Sequence, residues 1–430
     1  MNQAGNQSSE NLPAELRANL KSGENGISSG SVINNAPYPT SAWLNGIANS
    51  NSMDHNMNIK QTSTSISQSE VLILRGHNAE VFCCSWNPVS SLLATGAADS
   101  TARIWAIPNV LPSGSPTAAA AALAASASPI VLKMEESTTT PAGRSNDCTS
   151  IEWNAQGIRL ATGTYDGVAR VWSEAGELVK TLDRHEGPVL ALKWSPSGEA
   201  LLTGSVDKKA ILWYPSSGND TMIYEHHTGP ILDLDWRDDQ CFATSSTDKS
   251  VAICNVGSTK PAMILTGHQD EVNSVRWNPS GSLLATCSDD FTARIWSPDS
   301  PKPRQYLSEH TKEVLAVRWS PLSDSSSLLA TASHDSTVKL WNPETGVCVS
   351  TLTGHADPVY AIAFSPDGSL LASGSFDRRV LIWSVKDGCV VRDFYGQSGV
   401  FEIKWNSAGD RIAACFANSA CVVLDPRRSP

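Results

Sequence analysis

Gly267-His268-Gln269-Asp270-Glu271-Val272-Asn273-Ser274-Val275-Arg276-Trp277 opens a unit that continues through Leu283-Leu284-Ala285-Thr286-Cys287-Ser288-Asp289-Asp290 and closes six residues later at Trp296. The same order of Gly-His, a Val-rich strand ending in an aromatic, Leu-Leu-Ala-Thr/Ser, Asp and a closing aromatic returns along the chain. The closing positions Trp172, Trp213, Cys254, Trp296, Trp341 and Trp383 follow at steps of 41, 41, 42, 45 and 42 residues. A period of this length supplies about four short strands per unit, none able to bury its own faces. The units must therefore stack radially into a closed all-β ring.

Outward from this unit, the innermost strands end at Trp86, Trp153, Trp194, Trp236, Trp277, Trp319, Phe364 and Trp405. Third strands end at Trp105, then at the six residues above, and last at Leu424. The ring has eight blades. The last unit stops at Leu424 without a fourth strand, which would leave a row of unpaired amides and carbonyls. The apolar run Val71 to Leu74 has no earlier blade to serve and is expected to close the ring as the outer strand of blade eight.

These units resemble WD40 repeats, in which a His, a hydroxyl, an Asp and a Trp commonly form a hydrogen-bonded tetrad. The matches are His185, Ser205, Asp207 and Trp213 in blade three, and His268, Ser288, Asp290 and Trp296 in blade five. Blade six offers His310, Ser333, Asp335 and Trp341, and blade seven His355, Ser375, Asp377 and Trp383. The hydroxyl two residues earlier, such as Thr286, shares the same strand face and is the alternative. Blade one carries Ala97 at the hydroxyl position, blade two Arg144 for His, blade four Cys254 for Trp, and blade eight Gly396, Asn418 and Leu424. Those blades are expected to rely more on packing, blade eight being the weakest. A catalytic Ser, His and Asp form one constellation, whereas this one recurs on at least four blades, so it is structural.

The remaining sequence points away from chemistry. No phosphate-cradling Gly-rich motif or His-Glu-x-x-His occurs, so the chain is expected not to be an enzyme and to need no cofactor. The ten cysteines include no Cys-x-x-Cys pair, which favours small buried hydrophobes in a reducing compartment over a metal site. No apolar run of bilayer length and no secretory signal is present, so no membrane partner is expected. The net charge of -11 argues against direct nucleic-acid binding and favours basic partners. Three stretches fall outside the repeat: residues 1–69, rich in Ser, Asn, Gln and Gly and expected to form a disordered arm; a loop insertion at about 108–129; and a tail at 426–430. The ring itself is expected over residues 70–425.

In WD40 rings the mouth of the central channel is lined by the residues three and five after the His and by the residue before the tetrad Asp. Carried onto this chain, blades seven, eight, one and two present Tyr360, Phe376, Phe401, Phe82 and Tyr165, and blades five and six present Glu271, Asp289 and Glu313. Glu80 and Asp147 add acids, and none of the positions is Lys or Arg. An apolar arc facing an acidic arc suits a peptide with basic and hydrophobic side chains. The alternative is that the acids serve solubility and the aromatics pack into neighbouring loops.

The wording of the blades is also similar to one group. Arg75-Gly76-His77, Ser100-Thr101-Ala102-Arg103-Ile104-Trp105, Ala161-Thr162-Gly163-Thr164-Tyr165-Asp166-Gly167, Glu309-His310-Thr311-Lys312-Glu313 and Gly399-Val400-Phe401-Glu402 resemble the transducin beta-like, F-box-like WD-repeat proteins over about residues 71 to 425. The resemblance implies a nuclear scaffold within a corepressor complex, with corepressor proteins, a histone deacetylase and basic histone tails as partners. Members begin with a Lis-homology domain and an F-box-like region, and residues 1–70 match neither. A substrate receptor for a ubiquitin ligase and a cytoplasmic assembly platform are the alternative functions.

Overall fold

Each repeat folds from the channel outward as four antiparallel strands. In blade five these are Val272–Trp277, Leu284–Ser288, Ala293–Trp296 and Pro303–Leu307, hydrogen-bonded in that order. The computed structural model describes residues 64–109, 111, 128–134, 145–217, 221–322 and 327–427. Eight such sheets make the ring. The two middle strands of each blade are covered on both faces by neighbouring blades, which explains why Leu284, Ala285, Cys287, Ala293 and Ile295 are fully buried without polar alternation. Apolar clusters accordingly run between blades, as where Val272 and Val275 of blade five pack with Ala243 and Ile253 of blade four.

The inner strand carries the same irregularity in every blade. In blade five Val272 pairs with Ser288 and Ser274 with Cys287, so Asn273 is an extra, bulged residue. The corresponding bulges fall at Phe82, Thr149, Leu190, Leu232, Leu315, Tyr360 and Phe401. A bulge re-aims the side chain it frees. Position five after the His is therefore set apart from the strand's ordinary in-and-out alternation.

Leu72–Arg75 pairs antiparallel with Ala420–Leu424 and closes blade eight, with Leu72 and Leu74 each 2% exposed. Blade eight replaces its missing tetrad with packing. A Cβ at Gly396 would lie 2.2 Å from Phe416, whose ring joins Phe394, Ile66 and Val71 in one apolar cluster.

The expected arm is corrected at its end. Thr64–Ile66 forms a fifth strand on blade seven, parallel to Arg392–Phe394, followed by a short 3-10 turn at Gln68–Glu70. The free edge of blade seven supplies the pairing, and Arg392 Nε donates to the Thr64 carbonyl at 3.1 Å. With one apolar residue in three, this strand carries no alternation of its own in the sequence. Residues 1–63 of the expected arm lie outside the described residues. So do most of the expected 108–129 insertion, including the alanine run, and residues 428–430 of the tail. The insertion's outer boundary is Ile130–Lys133, the fourth strand of blade one.

Candidate protein-interaction face

In blade five the Trp296 indole N–H donates to Thr286 Oγ1 at 2.9 Å, and the Thr286 hydroxyl lies 2.8 Å from His268 Nε2. His268 Nδ1 in turn stands 2.8 Å from Asp290 Oδ2. Burial lowers the His268 pKa, with Asp290 opposing, so the ring is neutral. Nδ1 then carries the proton toward the carboxylate, and Nε2 accepts from Thr286. Burial acts to raise the Asp290 carboxyl, but the hydrogen bond from His268 prevails and holds it well below its ordinary range.

The tetrad hydroxyl is therefore not the serine. Thr203, Thr286, Thr331 and Ser373 bridge the His and Trp in blades three, five, six and seven. Ser205, Ser288, Ser333 and Ser375 sit at the hairpin ends. There each donates to the carbonyl of Gly187, Asp270, Lys312 or Asp357 and accepts the N–H of the tetrad Asp. The indole, paired in register with Leu284 at the far end of the strand, reaches only the nearer hydroxyl. This also corrects blade one, where Thr95 rather than Ala97 is the relevant position and bridges His77 and Trp105 at 2.8 Å each. Blade four keeps His227, Thr244 and Asp248 in contact without a Trp. In blade two Arg144 lies outside the described residues, and Arg170 pairs with Asp166 at 3.2 Å.

A second polar system lines the central cavity of about 240 Å³. It comes from inner-strand residues that sequence reasoning passed over: Lys193 pairs with Asp235 at 3.0 Å and Arg276 with Asp233 at 2.7 Å. Glu152 and Asp235 accept the backbone N–H of Trp194 and Trp277 on the following blade. These contacts tie neighbouring blades together. The usable signal is the residue before each inner-strand Trp, which is charged in blades two to six and in blade eight.

At the mouth, Phe82 and Phe401 meet across blades one and eight with ring centroids 5.5 Å apart, and Tyr360 lies 6.3 Å from Phe376. Tyr165 and Asp147 are half-buried on blade two, and Glu80 is exposed on blade one. By blade order Glu80 and Asp147 stand on the opposite side of the ring from the other acids.

Glu271, Asp289 and Glu313 are brought together. Burial, then the charges of Asp289 and Asp270, push the Glu271 carboxyl up to about 7. Burial also raises Asp289 to about 6, aided by Glu313 and opposed by a 2.6 Å hydrogen bond from Asn273 Nδ2. His334 joins the cluster, its Nδ1 3.3 Å from Glu313 Oε2 and its ring edge-on to Tyr360. Phe291 follows Asp290 in the hairpin turn with φ 70° and remains 43% exposed, an aromatic in the left-handed region. Asn273 and His334 stand at mouth positions that the repeat does mark, five after the His and one before the tetrad Asp, but only their burial and contacts single them out; Phe291 stands at no such position.

The raised carboxyl has a testable consequence. Glu271 titrates near 7 in the folded ring but near 4.5 when unfolded, so the native state holds the extra proton between those values. Stability therefore falls as pH rises from about 4.5 to about 7 and stays lowered above. Glu271→Gln is expected to raise stability by about 1 kcal/mol at pH 8, after discounting for solvent screening. Near pH 4 the variant and parent should coincide. A variant melting no higher than the parent at pH 8 would show that this carboxylate is under no strain.

Comparison with known proteins agrees with this geometry. The WD domain, G-beta repeat, matches residues 68–106, 135–173, 176–214, 218–255, 259–297, 301–342 and 346–384. The chain is 42% identical to the mouse (Mus musculus) F-box-like/WD repeat-containing protein TBL1X over 372 residues, covering 84% of this chain and 68% of that protein. It is 45% identical to the WD40 repeat-containing protein HOS15 of Arabidopsis thaliana over 381 residues, covering 86% of this chain and 61% of that protein. The chain thus spans about two thirds of the length of these relatives. The crystal structure of the C-terminal WD40 domain of Sif2 superposes with a TM-score of 0.68 at 22% identity, covering 82% of this chain and 98% of that one, and supports the fold alone. With seven matched repeats, an eighth blade closed by Leu72–Arg75, and this level of identity, the chain belongs to the WD40-repeat family and, within it, to the F-box-like/WD-repeat group.

Proposed function

We propose that the ring is a non-catalytic scaffold of a nuclear transcriptional corepressor assembly containing a histone deacetylase, and that its mouth binds basic histone tails or similarly basic partner segments. The observation that carries the binding role is the joined carboxylate cluster of Glu271, Asp289 and Glu313. It holds two of its members above their ordinary pKa, a cost in stability that a cationic ligand would relieve. The aromatics Tyr360, Phe376, Phe401 and Phe82 supply an apolar arc for the flanking residues of such a segment. Kinship with the F-box-like/WD-repeat group supports the corepressor setting.

Fluorescence anisotropy with a basic tail peptide tests the mouth. Reversing Glu271 and Glu313 to Lys is expected to weaken binding by more than about tenfold and to flatten its salt dependence. Binding equal to the parent would remove this face from consideration. Affinity purification addresses the setting: a copurifying deacetylase supports it, whereas a cullin or its adaptor in its place points to a ubiquitin-ligase receptor.

A further inference from the structure

The cluster between blades five and six holds more hydrogen-bond acceptors than its own donors can serve. Asn273, the bulged residue, is 6% exposed and lines the central cavity. Its Nδ2 donates to Asp289 Oδ1 at 2.6 Å and to the Val314 carbonyl at 2.9 Å. Both partners are acceptors, so the amide can face only one way, and Asn273 Oδ1 is left buried without a partner. On the adjacent blade His334 turns Nδ1 toward Glu313, and burial favours the neutral ring. Its Nε2 lone pair is also buried without a partner. Two unserved buried acceptors thus belong to one cluster, the first on the side chain bonded to Asp289 and the second on the side chain facing Glu313.

We infer that this notch is a receptor for a single arginine side chain of a partner peptide, which enters as the half-buried rim side chains turn aside. The inference rests on reading the mouth as the partner-binding face. A lysine ammonium brings three donors on a point charge. A guanidinium brings five in a rigid plane, enough to bridge carboxylates and still reach Asn273 Oδ1 and His334 Nε2. Tyr360, its ring centroid 5.7 Å from that of His334, supplies an aromatic wall for the same cation. The charged groups around the notch are Asp270, Asp290, Lys249 and Lys312, and Lys249 is engaged with the Gln269 carbonyl at 2.7 Å.

The test uses the whole chain and three labelled Gly/Ser peptides that differ only in a central arginine, lysine or citrulline, followed by fluorescence anisotropy. The arginine peptide is expected to bind about fivefold or more tighter than the lysine peptide, and citrulline not at all. The arginine affinity should rise from pH 5.5 to pH 8 as Glu271 and Asp289 give up their protons. Asn273→Leu should erase the preference for arginine while leaving lysine binding in place. Arginine and lysine bound equally would overturn the notch and leave the general electrostatic role of the rim standing. If neither peptide binds while the basic tail peptide still does, the notch falls and the reading of the mouth stands; if the tail peptide fails as well, both fall. Should Asn273→Leu fail to fold, His334→Phe provides the same readout by removing the other acceptor.

Discussion

A chain beginning at Gly76 is expected to lose more than about 5 kcal/mol of stability relative to one beginning at Thr64, enough to prevent a closed ring from persisting. The deleted segment contains Leu72 and Leu74, each 2% exposed, and Val71, 3% exposed. Truncating a single buried leucine costs about 2–5 kcal/mol, and here two are lost together with their backbone pairing. The hydrogen bonds from Leu72–Arg75 to Ala420–Val423 would vanish as well, leaving the third strand of blade eight as a bare edge. A chain beginning at Val71 separates the two contributions. It gives up Ile66, the parallel strand on blade seven and the short turn at Gln68–Glu70, none of whose residues is buried, and its loss should be well under half as large. Urea unfolding of the three chains, with light scattering to register edge-to-edge association, checks the ranking. Equal midpoints for the chains beginning at Gly76 and Thr64 would mean that closure does not depend on this strand.

Thr286→Val is expected to cost about 2–4 kcal/mol. The substitution keeps the shape of a fully buried side chain but strands both the Trp296 indole N–H and His268 Nε2, which meet at its hydroxyl. Ser288→Ala, two residues along the same strand face, removes only bonds to the hairpin backbone and should cost about 1 kcal/mol. Melts of the two variants decide between them. A larger loss from the serine variant would overturn the assignment of the threonine to the tetrad.

That pair of residues also marks a limit of pattern reading. Period-two alternation places Thr286 and Ser288 on one face and treats them as equals, so spacing alone leaves both open as the tetrad hydroxyl. The choice is made by the indole of Trp296, which lies back along the strand from its register partner Leu284 and reaches the nearer hydroxyl. The mouth shows the same division. The repeat assigns Glu271, Asp289 and Glu313 to corresponding positions on adjacent blades, but their mutual field arises from burial and from side chains far apart in sequence. His334 reaches Glu313 across a turn, and Asn273 joins Asp289 to the carbonyl of Val314 on the next blade.

The sequence by itself determined the all-β ring, its eight blades and the strand that closes the last one. These follow from short-range apolar patterns repeated at a fixed period, each of which can only be satisfied by a neighbour like itself. Only the tertiary structure decided which hydroxyl completes each tetrad, that residues 64–66 extend blade seven, that the inner strands bulge at the mouth, and that charged residues bind blade to blade around the cavity. These depend on distances between chain segments, on the free edge one element leaves for another, and on desolvation, none of which leaves a periodic trace in the order of residues.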